Sequence, residues 1–128
     1  MIVAGIGCRK GTTAQDIDTA IDTAMAEAGK PRESLSAIAT SDGKGSEPGI
    51  IEAAAGRGVR LDLVKPGELE AAGPRTQSSS PRVKELFGVP SVAEAAALAA
   101  AGSTSKLLVP RMVVGPATCA IAATEEDS

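Results

Sequence analysis

Residues 2–6, Ile-Val-Ala-Gly-Ile, form an unbroken run of apolar and small side chains, the pattern of a strand buried on both faces. A glycine-rich turn follows, and the period then changes. Ala14, Ile17, Ile21, Ala24, Met25 and Ala28 recur at helical spacing, while Asp16, Asp18, Asp22 and Glu27 take the opposite face. Thr12 with Gln15 three positions on has the form of a capping box, which satisfies amide donors at a helix start, and Gly29 with Pro31 ends the helix. The run Ser-Leu-Ser-Ala-Ile-Ala-Thr at 34–40 predicts a second strand, and the glycine-rich loop 41–49 leaves it. Pro48 suits the first position of another helix running to 58, because the amide hydrogen it lacks would have no partner there.

Residues 59–64 alternate apolar and charged side chains, so a third strand with one solvated face is expected, nearer a sheet edge than the first. Residues 65–73 make a short helix candidate, and 73–81 a surface loop of turn formers. Ser80-Pro81 then predicts a cap for a short helix through Leu86, closed by Gly88. Ser91 and Glu94 form a second capping box, opening a helix over 92–102 that is apolar on nearly every side and so belongs against the middle of a sheet. Residues 106–114, a Gly-Pro-Ala turn and 118–123 read as two strands of an antiparallel hairpin. The fold class that follows is α/β: one layered domain over 1–123, a mixed sheet of about five strands ending in an antiparallel C-terminal hairpin, with helices packed on the sheet faces. Residues 124–128 are expected to be a disordered polar tail.

Composition narrows the chemistry. The 128 residues include a single aromatic, Phe87, so the core must be built from Ala, Val, Ile, Leu and Met. There is no His, which removes Ser-His-Asp triads, Cys-His pairs and His-ligated metals from this chain. Trp and Tyr are absent as well, and with a net charge of −3 and no basic block, no nucleic-acid partner is expected. No apolar run reaches the roughly 18 residues of a membrane span, so no membrane partner is expected either. Two distant cysteines without a signal peptide predict reduced thiols and a cytoplasmic protein, and a Cys8–Cys119 bridge would require the first and last strands to be neighbours.

Candidate chemistry starts at the first turn. Gly7, Cys8, Arg9, Lys10, Gly11 and Thr12 lie between a strand and a helix start, where free amides, the helix dipole and two cations favour an anion. The spacing Gly-x-Gly-x-x-x-Gly is wrong for a dinucleotide fingerprint, and the glycines could equally serve only the tight turn. Cys8 sits where a thiol pKa is lowered but lacks a histidine base; Cys119, inside an apolar strand, reads as packing. Asp42, Lys44 and Glu47 occupy the loop after the second strand. If the first two strands are parallel, this loop and the first share the crevice beyond the strand ends where α/β proteins bind ligands; alternatively it is a solvated turn. Ser91 and Glu94 are accounted for locally as helix caps.

The ordered motifs Gly-Ile-Gly-Cys-Arg-x-Gly at 5–11, Ser-Glu-Pro-Gly-Ile at 46–50, Ser80 with Val83, Gly-Val-x-Ser-Val-Ala-Glu-Ala-Ala-Ala-Leu at 88–98, Leu-Leu-Val-Pro-Arg-Met at 107–112 and Ala-Thr-Cys-Ala-Ile-Ala at 117–122 resemble the CobE family of cobalamin-biosynthesis proteins. The same pattern forms the C-terminal domain of CbiG. The resemblance implies a role in building the corrin ring, in the aerobic pathway, with a precorrin or corrinoid intermediate and other cobalamin-pathway enzymes as partners. CbiG-like proteins carry an additional N-terminal domain and open the ring-A lactone of their substrate, releasing a two-carbon fragment; this chain matches their C-terminal module. Gly5, Gly7, Cys8, Arg9, Gly11, Glu47, Pro48, Gly49, Ser91, Glu94 and Arg111 fall on family motif positions.

Two readings follow. A corrinoid-binding protein would hold the many carboxylates of its ligand with Gly7, Cys8, Arg9, Lys10, Gly11, Thr12, Lys44, Glu47, Ser91, Glu94 and Arg111. A lactone hydrolase would use Glu47 or Asp42 as general base, with Cys8 a further catalytic candidate and the first loop stabilising the oxyanion. The sequence favours binding, since no side chain has an evident reason to titrate near neutrality. Neither reading calls for a metal or cofactor, and NAD or ATP binding through the glycine loop is not expected.

Overall fold

The alternation of the first strand decides the layering. In the computed structural model, which describes residues 1–44, 47–76 and 91–124, strand β1 (Ile2–Cys8) is central. Its Ile2, Ala4 and Ile6 enter one core and Val3 the other, as the two-residue period of a strand requires. Helix α1 (Ala14–Ala28) buries Ile17, Ala20, Ile21, Ala24 and Met25 against the first core. Its N-cap is Thr13, whose hydroxyl accepts from the Asp16 amide at 3.1 Å, one residue later than the Thr12 cap expected. Thr12 is instead buried and donates to the Arg9 carbonyl at 2.6 Å, so it ties the turn rather than the helix. Gly29 ends α1 in the left-handed conformation, as the sequence predicts.

Strand β2 (Ala37–Ser41) starts three residues later than expected, since Ser34 ends a short 3₁₀ turn at Arg32–Ser34 and Leu35 and Ser36 connect the two. A second 3₁₀ turn, Asp42–Lys44, leads towards α2 (Pro48–Arg57), with Pro48 at the helix start. Arg57, almost fully buried, joins the two helices on this face: its Nε donates to Asp18 Oδ1 at 2.8 Å and a terminal nitrogen to Asp22 Oδ1 at 2.7 Å. Burial opposes the Arg57 charge, but the hydrogen bonds to Asp22 and Asp18 more than offset it and raise its pKa.

Strand β3 (Arg60–Val64) and helix α3 (Pro66–Ala72) come next, then α4 (Val92–Ala101) and the antiparallel strands β4 (Lys106–Val114) and β5 (Ala117–Ala123). The sheet order is β3-β2-β1-β5-β4, with β1, β2 and β3 parallel. This is the expected five-stranded mixed α/β sheet, with β3 on an edge and four α-helices among the described residues. Helices α1 and α2 cover one face; α3 and α4 cover the other.

Helix α4 is buried along nearly its whole length because it lies over β1, β2 and β5 and is backed by α3. Such proximity demands a bare backbone: a Cβ on Gly5 would overlap the Ala93 carbonyl. Across the sheet, a Cβ on Gly49 would overlap the Thr12 carbonyl, so the start of α2 abuts the first turn. Arg75, in the segment expected as a surface loop, donates to the Ser105 carbonyl at 2.9 Å and to the Gly102 carbonyl at 3.3 Å, holding the end of α4. The expected helix at 80–86 lies outside the described residues, as does 125–128; Thr124 accepts from the Met1 amino group at 2.9 Å. No described helix is long and apolar enough to cross a membrane.

Candidate functional site

The strand order reverses at β1: β2 and β3 are added on one side, whereas the chain crosses to the other side for β4 and β5. In open α/β sheets such a switch point leaves a crevice beyond the strand end. A cleft of about 280 Å³ opens there, between the end of β1, the first turn of α4 and the β4–β5 hairpin. Gly7 and Cys8 come from the end of β1, Arg9 from the loop that follows, Ser91 from the cap of α4, and Arg111 and Thr118 from the hairpin.

Backbone pairing fixes these walls. Cys8 lies opposite Ala117 in the β1–β5 ladder, the Thr118 hydroxyl donates to the Gly7 carbonyl at 3.1 Å, and the Arg9 amide donates to the Pro116 carbonyl at 3.2 Å. The floor is the start of α4, where the Ser91 hydroxyl accepts from the Glu94 amide at 3.3 Å. Ser91, Val92 and Ala93 line the cleft, so the positive end of the α4 dipole faces it. Arg9, exposed, and Arg111, half-buried, add two cations, and neither forms an ion pair with a carboxylate among the described residues. Two charge donors and a helix start therefore face a largely apolar space, a combination suited to an anionic ligand with apolar bulk.

Of the residues singled out from sequence, Gly7, Cys8, Arg9, Ser91 and Arg111 meet at this cleft. Lys10, Gly11, Thr12, Asp42, Glu47 and Glu94 do not line it. The Asp42–Lys44 turn does leave the same sheet end as β1, and the Lys44 side chain lies outside the described residues. Glu47 meets the first loop on its other side: its carboxylate accepts from the Gly11 amide at 2.6 Å. Glu94 is fully buried below the cleft, and its Oε2 accepts from the Arg111 amide at 2.7 Å.

The strands of the two cysteines are indeed neighbours, but no disulfide joins Cys8 to Cys119. Cys119 is fully buried, and desolvation pushes its thiol up to about 12 against a smaller opposing effect of Arg57. It acts as a packing residue, as its apolar strand implies. Sequence reasoning missed Val113, Thr118 and the Gly115-Pro116 turn as cleft residues. The available signal was the hairpin itself, once it is paired to β1. Val113 is 69% exposed at the cleft, an apolar side chain left facing solvent beside two arginines.

Residues 2–122 match the protein family described as "Cobalamin synthesis G C-terminus". Protein CobE of Sinorhizobium sp is 34% identical over 121 residues, 94% of this chain and 79% of that protein. The crystal structure of CobE, a protein from the cobalamin (vitamin B12) biosynthetic pathway, superposes with a TM-score of 0.89 at 34% identity, covering 95% of this chain and 89% of the other. A cobalt-precorrin-5A hydrolase of Priestia megaterium is 31% identical over 109 residues, 85% of this chain but only 29% of the hydrolase.

Proposed function

This chain belongs to the CbiG C-terminal family and is a cobalamin-biosynthesis protein, and from that premise we propose that it binds a corrinoid or precorrin intermediate in the cleft between β1, α4 and the β4–β5 hairpin. The observation that carries this reading is that Arg9 and Arg111, neither ion-paired with a carboxylate among the described residues, line an apolar space that also receives the start of α4. Corrin precursors combine an apolar macrocycle with a rim of acetate and propionate groups. Guanidinium groups grip carboxylates through charge-assisted, often paired hydrogen bonds, and Val113 offers apolar surface beside them. At about 280 Å³ the cleft is at the lower end of small-ligand pockets, roughly 300–1,000 Å³, so it takes one edge of the macrocycle and leaves the rest in solvent.

Titration of the protein with hydrogenobyrinic acid, followed in the visible spectrum, tests the reading. Saturable binding is expected, weakened about tenfold by Arg9→Ala and by Arg111→Ala, and weakened by added salt. An unchanged spectrum at high micromolar ligand would sink it.

A second reading, hydrolysis of a precorrin ring-A lactone, is motivated by the likeness to the Priestia hydrolase, most of whose length lies outside the match. No carboxylate lines the cleft among the described residues, and the Glu47 carboxylate is engaged by the Gly11 amide. Among the described residues no carboxylate is therefore positioned as a general base at the bound ligand, which favours binding. Turnover of a precorrin lactone by the parent protein, slowed in Glu47→Gln, would reverse that preference.

A further inference from the structure

We propose that Glu94 is a positioning residue for Arg111, a buried carboxylate that holds the bulged segment of β4 so that the Arg111 side chain faces the cleft; this rests on the cleft's being the corrinoid site. Among the described residues, strand β4 is an edge strand paired only with β5. Its register shifts twice, between Leu107 and Val109 and between Val109 and Met112, so the ladder is interrupted where Pro110 and Arg111 sit. Pro110 has no amide hydrogen to give the ladder, and proline in a sheet is tolerated at edges and bulges for that reason.

The Arg111 amide needs an acceptor at this break, and it finds one off the sheet. Glu94 Oε2 receives it at 2.7 Å, from a side chain that is fully buried. The carboxylate itself cannot drift, because α4 is fixed at both ends: the Ser91 hydroxyl caps its start and Arg75 holds the carbonyls near its end. Close packing of the helix over Gly5 fixes its height above the sheet. One hydrogen bond thus links the floor of the cleft to the backbone of its far wall. Without it, a bulged edge segment with a single neighbouring strand is free to untwist, and the guanidinium moves with the backbone that carries it. A displacement near 1 Å is enough to break paired hydrogen bonds to a carboxylate.

The test combines ligand affinity with amide exchange. Glu94→Gln keeps an oxygen acceptor, Glu94→Ala removes it, and Arg111→Ala removes the guanidinium. For hydrogenobyrinic acid we expect Glu94→Gln to bind within about threefold of the parent, Glu94→Ala about tenfold more weakly, and the Glu94→Ala, Arg111→Ala double variant no more weakly than Arg111→Ala alone. Full additivity of the two losses, or parent affinity in a folded Glu94→Ala protein, overturns the inference. Exchange of the Arg111 amide in the ligand-free parent should be slowed at least about tenfold relative to an unbonded strand amide, and faster in Glu94→Gln. This second readout survives if the alanine variant does not fold. A rapidly exchanging Arg111 amide in the parent overturns the positioning role. A protected amide in a protein that binds no corrinoid overturns instead the assignment of the cleft.

Discussion

Replacing Gly5 with alanine tests how closely α4 lies on the sheet, and through it the floor of the cleft. The new Cβ would sit about 1 Å inside the 3.0 Å that such atoms do not cross, and its opponent is the Ala93 backbone carbonyl, which cannot swing aside as a side-chain tip can. Relief requires α4 to rise from β1 by about 1 Å, a gap that forfeits a quarter to a half of the dispersion attraction along the contact. Ala95, Ala97 and Leu98 lie on or beside that contact and are all fully buried. Overpacking of this kind costs about 1–3 kcal/mol, and a backbone-to-backbone clash belongs at the upper end. With a midpoint shift of about 3–5 °C per kcal/mol for a domain of this size, the thermal midpoint should fall by about 10 °C or more. Because Ser91 and the Arg111 amide bond move with α4, corrinoid affinity should fall as well. Differential scanning calorimetry and the hydrogenobyrinic acid titration read the two effects. Gly56→Ala is the control: that position is exposed in α2 with no atom near its would-be Cβ, so alanine should stabilise by about 0.5–1 kcal/mol. A Gly5→Ala protein melting within about 3 °C of the parent would refute the packing described for α4.

Three further outcomes follow from the same geometry. Arg57→Ala should cost about 1.5–2 kcal/mol in urea unfolding, the low end for charged hydrogen bonds because Asp18 and Asp22 are each more than a third exposed. The Cys119 thiol, raised to about 12 by burial, favours the folded state fully below the unfolded value near 9.0 and loses that contribution as pH rises. Relative to Cys119→Ala, parent stability should therefore fall by about 1.4 kcal/mol per pH unit between the unfolded value near 9.0 and the folded value of about 12, and parallel pH profiles would contradict it. Finally, Glu47→Ala should lower stability by about 0.5–1.5 kcal/mol through loss of the bond to the Gly11 amide, measurable as a shifted urea midpoint at unchanged slope.

Most of the fold was legible locally. The switch from an apolar run to helical spacing, the glycine that ends α1, the proline that opens α2 and the nearly all-apolar α4 each report, within a few residues, which faces are covered. Even the edge position of β3 shows in its alternating charges. The Thr12 cap was misplaced by one because two adjacent threonines offer the same hydroxyl, and only the backbone path decides which reaches the Asp16 amide. The site was legible only in part: the glycine loop with Arg9 stood out as suited to anions, whereas Ser91 read as a helix cap and Arg111 entered only through the family resemblance.

Tertiary structure alone decided which of those residues share a cleft. Local patterns state that a face is buried but not against what. The pairing of β1 with β5, more than a hundred residues later, brings Thr118 and the hairpin turn against Gly7 and Cys8. It also separates two carboxylates that look alike in sequence. Glu47 braces the first loop from the α2 side, whereas Glu94, written as half of a capping box, gives its carboxylate to the Arg111 amide. A short-range motif fixes a helix start because its partners lie within one turn; the far end of a long side chain answers to whatever unpaired donor the fold brings near, here an amide released by a proline bulge seventeen residues away.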